Sequence, residues 1–424
     1  MTSEHQTLQF TDIVYLLYLS YFFLPIVGAI VPPIFIYSLF ILCGLMAFSQ
    51  LGTIKKMQKY NGIIFVFFPS ILNCFLILYN ENSISFLRSI YGLLQLIVVQ
   101  TIAIIYIESG NKHKQKIVLS YIIFMFMITG LTSSIATFFR PNIMKELTAL
   151  PNTDLYLEYR KYNVGEFSFV YQFVLLVPYF IYLFKYKLLN PIASLIILLY
   201  IFFVILLSHF TMALLYFIPL TIVLFIGKLS SKKLYSLATI FVFLAIILRV
   251  LIGNIAFEVA DNVEDTAYNQ RLIYIGYVLN GYEISDTLNR TSGGRLELYS
   301  QSLNSFRNNW ITGTWDPTES GGHSFVFDNL ATFGLLGLFS IILYMTQIFR
   351  LFIKKYNHKK LYPYVLLTFI LSIITSVANP KFFTFIFTLI YPLMCITSST
   401  TDNEEEVEME ATNSLPEREI FQNN

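Results

Sequence analysis

Residues 293–337 read GGRLELYSQSLNSFRNNWITGTWDPTESGGHSFVFDNLATFGLLG, a glycine-punctuated polar stretch that runs straight into an apolar helix. Its polar part closes the longest non-apolar segment of a chain in which 56% of residues are hydrophobic and only 13% are charged. The junction points to a polar reactive site set against a membrane surface.

Working outward from it, the rest of the chain is dominated by long apolar runs rather than amphipathic stripes, and mean hydropathy is +0.63. Most runs reach the roughly 17 to 25 residues that a helix needs to cross about 30 Å of hydrocarbon. Helices are expected because lipid offers backbone groups no other partners. The fold class read from these runs is an all-α polytopic membrane protein with about twelve transmembrane helices. The spans fall at 12–31, 33–49, 62–79, 90–107, 117–138, 166–184, 191–207, 211–227, 234–252, 324–348, 361–378 and 382–398. Residues 1–398 thus form the transmembrane helical domain. Cys43, Cys74 and Cys395 all lie inside apolar runs, which suits small buried side chains better than disulfide or metal chemistry.

Lys and Arg set the expected orientation, since short cytoplasmic loops carry their excess. Lys55, Lys56, Lys59, Lys112, Lys114, Lys116, Lys185 and Lys187 fall on one side, as do Lys228, Lys232, Lys233, Arg350, Lys354, Lys355, Lys359 and Lys360. Both termini are then cytoplasmic. The opposite side is richer in Arg, including Arg140, Arg160, Arg249 and Arg295. Guanidinium is a permanently charged planar fork that matches phosphate and carboxylate oxygens. An outward-facing anion site is the expectation.

Two outer segments exceed turn length, 139–165 and 253–323. The second, between the ninth and tenth helices, holds nine acidic residues against four Arg, so its bulk charge is wrong for binding polyanions and local Arg placement has to matter. Its Tyr, Leu and Ile content favours an ordered cap. The final segment, 399–424, is acidic, poor in aromatics and reads as a disordered cytoplasmic tail. Neither a phosphate-binding glycine loop nor a metal-ligand spacing is present.

Within 293–337, Ser324 is positioned to cap the tenth helix, whose N-terminus would then offer unpaired N–H groups to an anion. His323 at that mouth, near Arg and a positive dipole end, should stay neutral and able to accept a proton. Trp310 and Trp315 suit stacking on sugar faces and an interfacial aromatic belt equally well. Asp328, about one turn into the helix, should face protein and orient His323 or Arg295, or pack with Asn329.

These residues also carry a resemblance. The order GGRLELY, NWITGTW and GGHSFVFDNLATFGLLGL after a long outer loop is similar to the signature region of the O-antigen ligase and Wzy-type polysaccharide polymerase superfamily. Two positions depart from its pattern. Trp310 stands where Pro is usual, and Ser208-His209-Phe210-Thr211 lacks the Arg expected between spans seven and eight. The resemblance implies a GT-C-like glycosyltransferase of the bacterial inner membrane that uses a lipid-diphosphate sugar donor at the outer face. By position, Arg295 would match the Arg that contacts the diphosphate and His323 the His near the acceptor. Arg249, with Arg160 or Arg140, is expected from the outward-facing arginines to help hold the diphosphate. The expected activity is a polymerase joining undecaprenyl-diphosphate-linked oligosaccharide repeat units for O-antigen or capsule. An O-antigen ligase transferring to lipid A core is the near alternative, and a transporter or flippase the alternative of another class. Arg and a helix terminus can do the electrostatic work, so no metal or cofactor is called for. The implied partners are the lipid-linked oligosaccharide and membrane lipid, with a chain-length regulator and a flippase as candidates and no nucleic acid.

Overall fold

The computed structural model describes residues 8–50, 58–80, 83–149, 153–262, 266–282, 295–356, 360–379 and 381–398. The acidic tail and residues 283–294 of the outer loop, including Gly293-Gly294, lie outside the described residues. Among the described residues the chain is helical throughout and contains no strand. The helices are α1 (Phe10–Phe23), α2 (Pro25–Ile30), α3 (Pro33–Ser49), α4 (Phe68–Tyr79), α5 (Ser83–Glu108), α6 (Lys112–Phe139), α7 (Ile143–Ala149) and α8 (Asp154–Lys161). They continue as α9 (Phe167–Lys185), α10 (Pro191–Leu207), α11 (Thr211–Phe225), α12 (Ser231–Asp261), α13 (Thr266–Asn280), α14 (Arg295–Asn308), α15 (Phe325–Ile348), α16 (Tyr362–Ala378) and α17 (Ile386–Ser398).

Among the described residues, four helical stretches are long and apolar enough to cross a membrane by length and composition alone: Ser89–Glu108, Lys112–Phe139, Phe167–Lys185 and Phe325–Lys354. Shorter apolar helices, α1, α3, α4, α10, α16 and α17 among them, accompany these. This all-helical pattern is compatible with a multi-pass membrane protein.

Several expected spans are divided for local reasons. Pro25 has no N–H and its ring blocks the preceding turn, so α1 ends at Phe23 and α2 restarts at Pro25. The stretch 62–79 begins as a 3-10 turn, Ile63–Val66, and becomes α-helical only from Phe68, with Pro69 in its first turn. In contrast, α12 runs for 31 residues. At about 46 Å it is longer than the hydrocarbon is thick. Its last turns carry α13, which folds back along it with the Phe257 and Tyr277 rings 5.5 Å apart. The outer loop is therefore largely helical.

The centre of the bundle is α9, where thirteen of nineteen residues are buried and α10, α11 and α16 pack around it. Its Leu175 carbonyl accepts from the Tyr391 hydroxyl at 3.0 Å and from Thr368 at 3.3 Å, which ties α16 and α17 to the core. At one end of the bundle the basic residues converge on carboxylates. Glu108 accepts from Lys59 at 2.8 Å, Lys355 at 3.0 Å and Tyr60 at 2.9 Å. Beside it, Asp12 accepts from Lys114 at 2.7 Å. Lys59, Lys114 and Lys355 belong to three loops that the charge pattern assigns to one side, and the structure brings them to one end.

Glu108 is the hub of that end, because its side chain is 12% exposed while Lys59 is 61% exposed. Glu108→Ala leaves Lys355, Tyr60 and Tyr356 without their shared acceptor, and we expect a loss on the order of 2 kcal/mol, whereas Lys59→Ala should cost less than about 0.5 kcal/mol. Thermal melting of the two variants in detergent checks the ranking; equal losses would refute it.

Candidate functional site

The stretch read as a single tenth span is a helix folded over on itself. Gly334 inside α15 has φ 57° and ψ −135°, values outside the helical region. A Cβ on Gly337 would stand 2.1 Å from the Asn329 carbonyl oxygen, and the Phe325 and Tyr344 ring centroids are 5.9 Å apart. In a continuous helix those residue pairs would be separated by about 12 Å and 28 Å. Residues 325–333 and 335–348 are therefore two half-helices lying side by side, joined at a tip formed by Gly334.

A break strips backbone groups of their partners, and the segment 311–315 supplies them. Thr314 N donates to the Ala331 carbonyl at 3.0 Å, Trp315 N to the Thr332 carbonyl at 3.0 Å, and Leu335 N to the Ile311 carbonyl at 3.2 Å. Gly313 makes the approach possible, since a Cβ there would lie 2.3 Å from the Thr332 oxygen. Trp315 closes the tip with its ring 5.3 Å from Phe333 and 5.9 Å from Tyr79. It is a packing residue. Trp310, by contrast, is 52% exposed beside the equally exposed Ile311.

The N-terminal end of the first half-helix lies nine residues, about 13 Å, back from the tip. There Ser324 accepts from Phe327 N at 3.0 Å, and Asp328 reaches back to accept from Ser324 N at 2.8 Å. The other Asp328 oxygen accepts from Ser302 of α14 at 2.7 Å, and Ser302 in turn accepts from Gly321 N at 2.9 Å. Phe325 N donates to the Asn379 carbonyl at 2.9 Å, and the Tyr299 hydroxyl to the Ala378 carbonyl at 2.9 Å. Asp328 thus positions the cap and α14, where the sequence had suggested contact with His323 or Arg295.

His323 is exposed in the turn between Gly321 and Ser324. Gly321 sits against the first turn of α14, with a Cβ there 2.3 Å from the Leu298 carbonyl oxygen. Since Arg295 opens α14, the fold brings the backbones of Arg295 and His323 to the same end of the hairpin. The other arginines are distributed elsewhere. Arg140 is ion-paired with Glu146 at 2.6 Å, and its hydrogen bond to Tyr159, reinforced by Glu146, raises its pKa. Arg160 lies over the Tyr156 ring, 5.2 Å from its centroid, and donates to the Tyr156 hydroxyl at 3.1 Å. Arg249 stands exposed on α12, roughly three turns before that helix ends.

Two neighbouring cavities adjoin the hairpin, and a third opens beside the second of them. The largest, about 640 Å³, is lined by Asn73, Gln95, Phe325, Asp328 and Asn329 among others. A second, about 300 Å³, shares Ser70, Leu96 and Phe325 with it and adds Gln100, Tyr344 and Lys381. The third, about 110 Å³, holds Arg160 and Glu166 and shares Ser168 and Gln172 with the second. Lys381 donates to Ser168 at 2.6 Å. Of the sequence candidates, Arg160 and Asp328 line these cavities. Lys381 and Gln100 were missed as site residues; the only signal for Gln100 was an amide inside an apolar run. Protein-family models, curated proteins and solved structures all yield no match to this chain.

The hairpin depends on a residue that tolerates left-handed φ with no room for a side chain, because the Gly334 Cβ position is 2.5 Å from Gly313 N. Gly334→Val should lower stability by more than about 2 kcal/mol. Gly227→Ala, where nothing lies within 4 Å of the added Cβ, should change it by less than about 0.5 kcal/mol. Hydrogen exchange should also rise at residues 311–315 in the first variant; unchanged exchange there would contradict the hydrogen-bonded tip.

Proposed function

We propose that this protein is a twelve-span, GT-C-like membrane glycosyltransferase that joins undecaprenyl-diphosphate-linked oligosaccharide repeat units at the outer face of a bacterial inner membrane. The observation that carries the reading is the meeting of the α14 start, the exposed His323 turn and a capped half-helix N-terminus at one end of a folded helix. The outer side of the second half-helix exposes Leu335, Leu336, Leu338, Phe339 and Ile342, a surface suited to lipid, and Trp310 and Ile311 at the tip suit the interface. The capped end then opens about 13 Å below that apolar rim, beside the cavities. A donor with a lipid tail, a charged diphosphate and a hydroxyl-rich head needs such an arrangement.

In this mechanism His323 takes the proton of an acceptor sugar hydroxyl, whose oxygen bonds to the anomeric carbon of the growing chain. The bond from that carbon to the phosphate oxygen breaks, and the electron pair leaves with the carrier diphosphate. Arg295 and Arg160 stabilise the charge that develops there, with the positive dipole end of the half-helix behind them. Arg140 is already engaged with Glu146, so we give it no share in this step. An O-antigen ligase would use the same donor chemistry with a lipid A core acceptor.

One observation favours a second reading, a transporter or flippase: broken helices with half-helix termini aimed at a substrate are common in that class. Incubating purified protein with lipid-linked repeat units separates the two. A ladder of longer lipid-linked chains supports the polymerase, and solute uptake into vesicles without a ladder supports the transporter. In cells, Arg295→Ala and His323→Ala should each leave single-repeat polysaccharide while inserting normally, a loss of at least about 100-fold in polymer. Wild-type chain lengths in both variants would overturn the assignment.

A further inference from the structure

We infer that the three cavities form one chamber that holds a sugar ring, with the amides of Gln100 and Gln172 as its main hydrogen-bonding groups. The inference deepens the polymerase reading and rests on it for the source of the sugar. The cavities are continuous in their walls: Ser70, Leu96 and Phe325 are common to the first pair, Ser168 and Gln172 to the second.

Gln100 Nε2 and Gln172 Oε1 are buried and have no hydrogen-bond partner among the described residues. An unpaired buried amide group is unfavourable, and its persistence calls for a ligand or an ordered water. The face of α5 toward the chamber repeats the pattern. Ser89, Leu93, Leu96 and Gln100 follow one helical stripe into it, while Leu94, Ile97 and Val98 line a wholly apolar cavity on another side of the same helix. Ser89, Gln95 and Gln100 thus give the chamber side of this helix polar groups that a polar ligand can meet.

Charge and shape narrow the ligand class. Both Asp328 oxygens are occupied, by Ser302 and by Ser324 N, so the carboxylate is not poised for a cation. Lys381 is exposed at the edge and bound to Ser168, while Arg160 and Glu166 both line the smallest cavity. The middle of the chamber is neutral, built from amides and hydroxyls, with the rings of Phe325, Tyr344 and Phe382 as apolar walls. Amides matched to vicinal hydroxyls, and aromatic rings matched to C–H faces, recognise a pyranose rather than an ion or an acyl chain.

The test uses full-length protein in detergent with two probes: lipid-linked repeat units extracted from cells lacking this protein, and undecaprenyl diphosphate without sugar. Gln100→Leu and Gln172→Leu each remove an amide that has an unpaired buried atom, so a purely structural role predicts little change in melting temperature and unchanged binding. The chamber predicts instead that each variant binds the sugar-bearing lipid about fivefold to tenfold more weakly, with sugar-free carrier bound as in the wild type. Equal affinity of wild type and variants for the sugar-bearing lipid, as for a chamber filled with water only, would overturn the inference and leave the polymerase reading standing. So would an equal loss for both probes. Failure of the wild type to bind either lipid would overturn both.

Discussion

A helix that breaks inside an apolar protein leaves carbonyls and amides that nothing in lipid can satisfy, and everything at the candidate site follows from how this chain answers that demand. In a continuous helix the Ala331 and Thr332 carbonyls would accept from Leu335 N and Leu336 N. Here the break at Gly334 turns the second half away, and the extended segment 311–315 provides the missing donors and takes up Leu335 N. The bonding is reciprocal, so neither the break nor the segment is stable without the other. Once the tip is closed, the first half-helix must run back beside the second, which carries its capped end and the His323 turn into the bundle.

The same accounting explains the rest of the architecture. Many polar groups of the interior are met by a partner: Tyr391 and Thr368 at the Leu175 carbonyl, Asp328 at Ser302 and Ser324, Lys59 and Lys355 at Glu108. The charged clusters sit at the ends of helices, where side chains of Lys and Glu retain water on one side. Gln95, Gln100 and Gln172 each have an amide atom without a protein partner and line a cavity.

Much of the helical content could be read from the residues alone, because apolar runs of membrane length leave few other options. The Lys-rich loops were equally legible, and Lys59, Lys114 and Lys355 converge as their pattern suggests. The fold of residues 324–348 was not. Phe325 to Ile348 has the length and apolarity of one span, and membrane helices tolerate glycine, so composition cannot distinguish a straight helix from a hairpin. The difference lies in a pairing between distant residues, Gly313 against Gly334 and Asn329 against Gly337, for which local periodicity has no signature. For the same reason Trp315 looked available for a ligand when its ring is held by Tyr79 and Phe333. Arg140 looked like an anion contact because Glu146 is only one helical turn or so beyond it, a pairing that loop sequence leaves open.

The way the half-helix is anchored weighs on what the site can do. Carriers that use broken helices need them to shift between two arrangements, so at least one end of each half must be able to let go. In this protein the tip is bound by three backbone hydrogen bonds, and the capped end is bound to α14 through Asp328 and Ser302 and to the end of α16 through Asn379. Tyr299 adds a fourth element of the same lock by donating to the Ala378 carbonyl. Releasing either end would expose several backbone groups at once in an apolar setting, each at a cost of a few kcal/mol. A half-helix fixed in this way is suited to holding the adjacent His323 turn at constant distance from a reacting centre. Preorganisation of that kind lowers the barrier to a group transfer, whereas a transport cycle would have to undo it at every turn.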